Sequence, residues 1–91
     1  MITIWKYPLR VQCEQNIDMP EGAQVLCVQN QGPVHTPLPF LWAKVNTEKK
    51  LVPKKILIRG TGHPLEGDAH YIGTFQIDGG DLVFHVFERF L

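Results

Sequence analysis

Apolar and polar positions alternate in short bursts along this chain, and nowhere does a 3.6-residue apolar period last long enough to predict a sustained helix. The opening run Ile2-Thr3-Ile4-Trp5-Lys6-Tyr7 alternates and is rich in β-branched and aromatic side chains, which fit a half-buried pleated surface. It predicts a first strand. Ile17 and Met19 alternate with Asn16 and Asp18 ahead of the turn sequence Pro20-Glu21-Gly22-Ala23, so a short second strand is followed by a third over residues 24–29. Pro33, Pro37 and Pro39 remove backbone donors and, with Gly32, predict a loop over residues 30–39. Residues 40–45 and 54–59 read as the fourth and fifth strands, joined by a charged turn over 46–53, and this pair is expected to form a hairpin. Tyr71-Ile72-Gly73-Thr74-Phe75-Gln76-Ile77 is the sixth. Asp78-Gly79-Gly80-Asp81 is a strong hairpin turn, and residues 82–87 form the last strand. Residues 66–70 have room for one helical turn. Seven short strands at this spacing predict an all-β fold, a small antiparallel β-sandwich or partly open barrel, in one domain over residues 1–91.

Length sharpens this picture, because 91 residues cannot supply two cores. Only about two thirds of the unfolded surface is buried at this size, so a homo-oligomer is expected to gain stability over a monomer. Nine basic and nine acidic residues cancel, which removes the overall positive field that coats duplex nucleic acid. Lys49, Lys50, Lys54, Lys55 and Arg59 still crowd one region, most simply a solvated basic hairpin. The two cysteines lack a CxxC arrangement and are expected as free thiols, with Cys27 buried inside Val25-Leu26-Cys27-Val28. No stretch reads as a signal peptide or reaches membrane-spanning length, so a cytosolic protein without a membrane partner is expected.

Candidate chemistry is confined to a few places. Gly60-Thr61-Gly62-His63 ends the fifth strand, where the absence of two Cβ atoms lets backbone N–H groups approach an anion and His63 adds a directional donor. The competing reading is a tight corner. The stretch is neither GxGxxG nor a P-loop, which excludes nucleotide hydrolysis of that kind. His85 alternates with Val83 and Phe87 on one face of the last strand, either to recognise a base or phosphate edge or as a satisfied, partly buried histidine. His35, His63, His70 and His85 lack the spacing of metal-ligand pairs, and no cofactor is expected. The chain contains no serine, and Cys13 has no nucleophile signature around it. Enzymatic activity is therefore not expected. Nine aromatic residues can build the core and leave rings over for stacking on bases, the alternative being that every ring is core or interface.

Read in order, "TIWKY", "MPEGAQVLCVQNQ", "LWAKV", "IRGTGHPL", "YIGTFQ" and "GGDLVFHVFE" resemble a family of small, mostly uncharacterised proteins of tailed bacteriophages and prophages. The resemblance covers nearly the whole chain and is most specific at residues 60–64 and 82–88; a longer loop at 31–39 departs from the family pattern. It implies a compact β domain acting in the host cytoplasm. It also implies action by binding: a small oligomer sequestering a nucleotide-derived immune signal, or alternatively an inhibitor of a host defence protein or nuclease resembling anti-CRISPR proteins, or a virion or replication accessory. On the first reading Gly60, Thr61, Gly62 and His63 supply donors to phosphate, Arg59 and Lys55 supply charge, Trp42 or Tyr71 stacks on a base, and His85 contributes an edge.

Overall fold

The computed structural model describes residues 1–33, 36 and 38–90. Seven strands, β1 (Ile2–Pro8), β2 (Glu14–Pro20), β3 (Gln24–Asn30), β4 (Pro39–Asn46), β5 (Leu51–Gly60), β6 (His70–Ile77) and β7 (Leu82–Arg89), follow one another. They form two antiparallel sheets, β1-β4-β3 and β2-β5-β7-β6. The fold is a sandwich. Apart from a single 3₁₀ turn, Asp78–Gly80, no helix occurs among the described residues, and none of them forms a helix long and apolar enough to cross a membrane. That turn closes the expected β6–β7 hairpin with Asp78, Gly79 and Gly80 all at positive φ.

Alternation decides which side chains meet between the sheets. Leu41, Ala43 and Val45 of β4 point inward against Ile56 and Ile58 of β5, Val86 of β7 and Phe75 of β6, all essentially removed from water. Each large aliphatic residue so buried contributes about 1.5–3 kcal/mol relative to exposure. Met19 and Val28 complete the layer, with Tyr7, Ile17 and Phe84 packed around it. The Tyr7 hydroxyl is buried without a hydrogen-bond partner among the described residues, and burial pushes its pKa above the ordinary 10.0.

One expected pairing is overturned. β4 and β5 do not form a hairpin; each lies in a different sheet, and the Thr47–Lys49 turn carries the chain across the core. The reason is burial: β4 brings Leu41, Ala43 and Val45 and β5 brings Ile56 and Ile58 to the interior, and such apolar faces are satisfied by stacking on one another. β5 also begins earlier than the apolar pattern implied. Pro53 lies where only β2 flanks the strand, so its missing donor leaves no rung of the β7 ladder open.

Two bulges shift the alternation. Between Val25 and Cys27 the register against β4 slips by one, which turns Cys27 outward opposite Trp42; the thiol is exposed instead of buried, and both cysteines are free. Between Tyr71 and Gly73 a second slip occurs in β6. There β6 lies beside β3, and a Cβ on Gly73 would stand 2.8 Å from Val28 Cγ1. Only glycine permits this approach. Asn30 Nδ2 donates to Gln76 O at 2.9 Å and ties the same side of the sandwich together.

Candidate functional site

The outer side of the four-stranded sheet collects the polar chemistry. Register sets Thr74 beside His85 on one flank and Arg59 on the other. Thr74 Oγ1 lies 3.0 Å from His85 Nδ1, Thr61 Oγ1 lies 2.7 Å from Nε2, and Tyr71 Oη lies 2.6 Å from Thr74 Oγ1. In an unbroken strand Tyr71 and Thr74, three apart, would face opposite ways. The β6 bulge brings them to one side. The result is a four-residue chain of hydrogen bonds, Tyr71–Thr74–His85–Thr61, in which every hydroxyl can both donate and accept. Thr61 and His85 are spaced like a nucleophile and its base, yet the third member, Thr74, is a neutral hydroxyl in place of a carboxylate.

Beside this chain, Cys13, Glu14, Arg59, His63, Pro64, Glu66 and Arg89 line an open cleft of about 570 Å³. Its wall is the segment 61–69, and two arginines hold that segment down. Arg59 donates from Nε to Pro64 O at 3.1 Å and from Nη1 to the carbonyls of Cys13 and Ile58. Arg89 donates to Asp68 O and Glu66 O. Leu57, outward by alternation, is only 1 % exposed beneath this cover, beside Phe87, whose ring meets Tyr71 edge-on at 5.7 Å. A guanidinium has five N–H donors, so both arginines keep some beyond those the carbonyls take. Neither has a carboxylate within ion-pairing distance among the described residues. The Glu14 carboxylate is instead taken by Lys55, at 2.9 Å. The hydrogen bond and charge of Lys55, followed by the charges of Arg89 and Arg59, hold its pKa below the ordinary glutamate value.

A family model described as "Domain of unknown function (DUF7352)" matches residues 1–90. The chain belongs to this DUF7352 family. No curated protein and no solved structure matches it.

Within this DUF7352 chain, most of the residues singled out from the sequence come together. Arg59, Gly60, Thr61, Gly62, His63, Lys55, Tyr71 and His85 share the outer side of one sheet or its adjoining loop. The role of the glycine loop changes. The His63 amide is spent on Gly60 O at 3.0 Å, closing a turn in which Gly62 has φ +86°. The His63 ring instead lies over Gly60, whose added Cβ would stand 3.1 Å from ring atoms. The ring remains exposed and lines the cleft.

Trp42 is the exception. It lies on the outer side of β4 in the other sheet, where its ring meets Phe40 at 6.3 Å, and the whole sandwich separates it from the cleft. It cannot stack on the same ligand as His63. The basic run also divides: Lys54 turns inward to Glu88, Lys55 outward to Glu14, and Lys50 stays exposed with Glu21 at 4.0 Å. It is not one solvated hairpin. His35 lies outside the described residues, and among those described no group of three or more potential ligands is placed to hold a metal.

Arg89, Glu14, Cys13, Thr74 and Glu66 were not singled out. Arg89 was readable: continuing the alternation of His85 and Phe87 by one step puts it on the same side. Glu14 and Cys13 join through the β2–β5 pairing, for which the local pattern holds no signal.

Proposed function

We propose that this protein binds a phosphate-bearing, nucleotide-class ligand in the cleft between β2 and segment 61–69 and does not transform it. The observation behind this reading is the pair of guanidinium groups, Arg59 and Arg89, fixed by carbonyls and free of carboxylate partners among the described residues, in a cleft of ligand size. A planar fork held in place loses little entropy when it meets phosphate oxygens. Tyr71, exposed on β6 about 10 Å from β5 by strand spacing, offers its ring to a base, while His85, both of whose ring nitrogens are taken by Thr74 and Thr61, orients the Thr61 hydroxyl between the two. Glu66 disfavours ligands crowded with negative charge and selects a compact phosphate or pyrophosphate. Joined to the resemblance to small phage proteins, this reading gives capture of a nucleotide-derived immune signal in the host cytoplasm as the proposed biological role.

The test is thermal unfolding of the full chain with cyclic dinucleotides, cyclic trinucleotides, ADP-ribose and its cyclic isomers at low salt. A ligand at a hundred times its dissociation constant adds about 2.7 kcal/mol, which raises the midpoint by about 10 °C or more in a domain of this size. Arg59→Lys keeps the charge, removes the fork and should reduce that rise. A midpoint that stays within 1 °C for the whole panel contradicts the reading.

A further inference from the structure

A sandwich of two open sheets has four edges, and three of them are guarded here. The edges of β3 and β6 lie against each other, joined by the Asn30–Gln76 hydrogen bond and the Gly73–Val28 approach. β2 carries Glu14, Asn16 and Asp18 on its outer side and ends in Pro20. β1 differs. It pairs only with β4, runs seven residues, and has one charged side chain, Lys6, whose ammonium is drawn back 4.3 Å over the Phe40 ring and donates to Gln31 Oε1. Its proline is confined to the last position. Long apolar edges without inward charge, bulge or cover are rare in natural sheets because their free N–H and C=O groups recruit another strand.

The exposed side chains agree. Ile2 and Ile4 are 59 % and 58 % exposed and border a shallow groove of about 410 Å³ with Leu26 and Lys44, while Trp5, inward by alternation, is still 39 % exposed. This is an apolar surface of the kind a protein-binding role requires, and the edge specifies that its occupant is an extended strand.

We infer that β1 pairs antiparallel with β1 of a second copy, about a two-fold axis at Trp5, joining two three-stranded sheets into one of six. The strand is self-complementary in this register. Trp5 meets Trp5, Thr3 meets Tyr7, Ile2 meets Pro8, and Ile4 of one copy lies opposite Lys6 of the other, so the two lysines never face each other. All seven residues pair, and the indole that the monomer leaves half covered is buried. The edge is about 23 Å long, so a contact one strand wide falls short of the ~800 Å² per partner of a standard interface, and the dimer should form at micromolar chain concentrations. The pairing lies on the sheet opposite the cleft and does not depend on ligand binding.

Sedimentation equilibrium of the full chain from about 1 to 300 µM tests this. The mass should rise from 10.4 kDa towards twice that value, with a change in tryptophan emission retained in a Trp42→Phe background. Ile4→Lys sets two like charges against Lys6 of the opposing copy and should weaken association about tenfold or more, whereas Ile4→Glu faces the same lysines with opposite charge and should still dimerise. Circular dichroism of both variants checks that this exposed position leaves the fold unchanged. A wild-type mass of 10.4 kDa throughout, or Lys and Glu at position 4 shifting association alike, overturns the pairing.

Discussion

Lys54 and Glu88 offer the sharpest test of how the sandwich is held together. Lys54 Nζ lies 2.6 Å from Glu88 Oε2, and the two side chains are only 16 % and 6 % exposed. Glu88 pairs in register with Ile56, so Lys54, two residues back along β5, is its diagonal neighbour on the inner side of the sheet. Replacing Lys54 by Met leaves a carboxylate buried without its partner, a change that costs about 3–5 kcal/mol. Glu88→Leu should cost less, about 1–3 kcal/mol, because the four-carbon stem of Lys54 can carry its ammonium to water. The double variant puts apolar groups in both places and should lie within about 1 kcal/mol of the wild type. Domains of this length have about 5–14 kcal/mol of total stability, so the Lys54 variant loses a large share of it. Urea unfolding followed by tryptophan emission reads the difference. With a slope of about 1–3 kcal/mol per molar urea, the Lys54→Met midpoint should fall by about 1–5 M and recover in the double variant. If Lys54→Met costs under about 1 kcal/mol, or the double variant is as unstable as the two single losses added together, the pair is solvated and the reasoning fails.

Gly73→Ala should cost about 1–3 kcal/mol, since its methyl meets Val28 Cγ1 at 2.8 Å, and Val28→Ala in the same chain should recover part of it; chemical unfolding of both measures the relief. Tyr7→Phe removes a buried hydroxyl that has no partner and should leave stability unchanged or raised; a loss above about 1 kcal/mol would reveal a hydrogen bond there. Because the Glu14 pKa is lowered in the folded state, its contribution is present above the unfolded glutamate value of 4.5 and is lost as pH falls through the folded one. Carbon-detected NMR titration should place the Glu14 midpoint below 4.5 and return it upward in Lys55→Met. Gly62→Ala, at φ +86° with open space around it, should cost about 1 kcal/mol through backbone strain alone.

The strands were legible because β-branched and aromatic residues alternating with polar ones carry a period that only a pleated surface uses. The last hairpin was legible because Asp78-Gly79-Gly80-Asp81 matches the positive φ angles it must adopt. Much of the candidate site followed, since His85, Arg59 and the Gly60–His63 turn sit on or next to strands whose facing the pattern defines. Trp42 and Cys27 mark where this stops. Alternation assigned Trp42 a side of β4 but not the sheet to which β4 belongs, and one inserted residue at Leu26 reversed the facing of Cys27.

Local sequence therefore determined where this chain is extended, where it turns, and which side chains share a side between bulges, because those properties depend on neighbours one to four residues away. Tertiary structure decided which strands pair, that β4 and β5 stack instead of forming a hairpin, and that Arg59 and Arg89 converge over Leu57 to build a cleft. The physical reason is that sheet pairing and core burial are satisfied by distant segments jointly, and an apolar face carries no record of which other face will cover it.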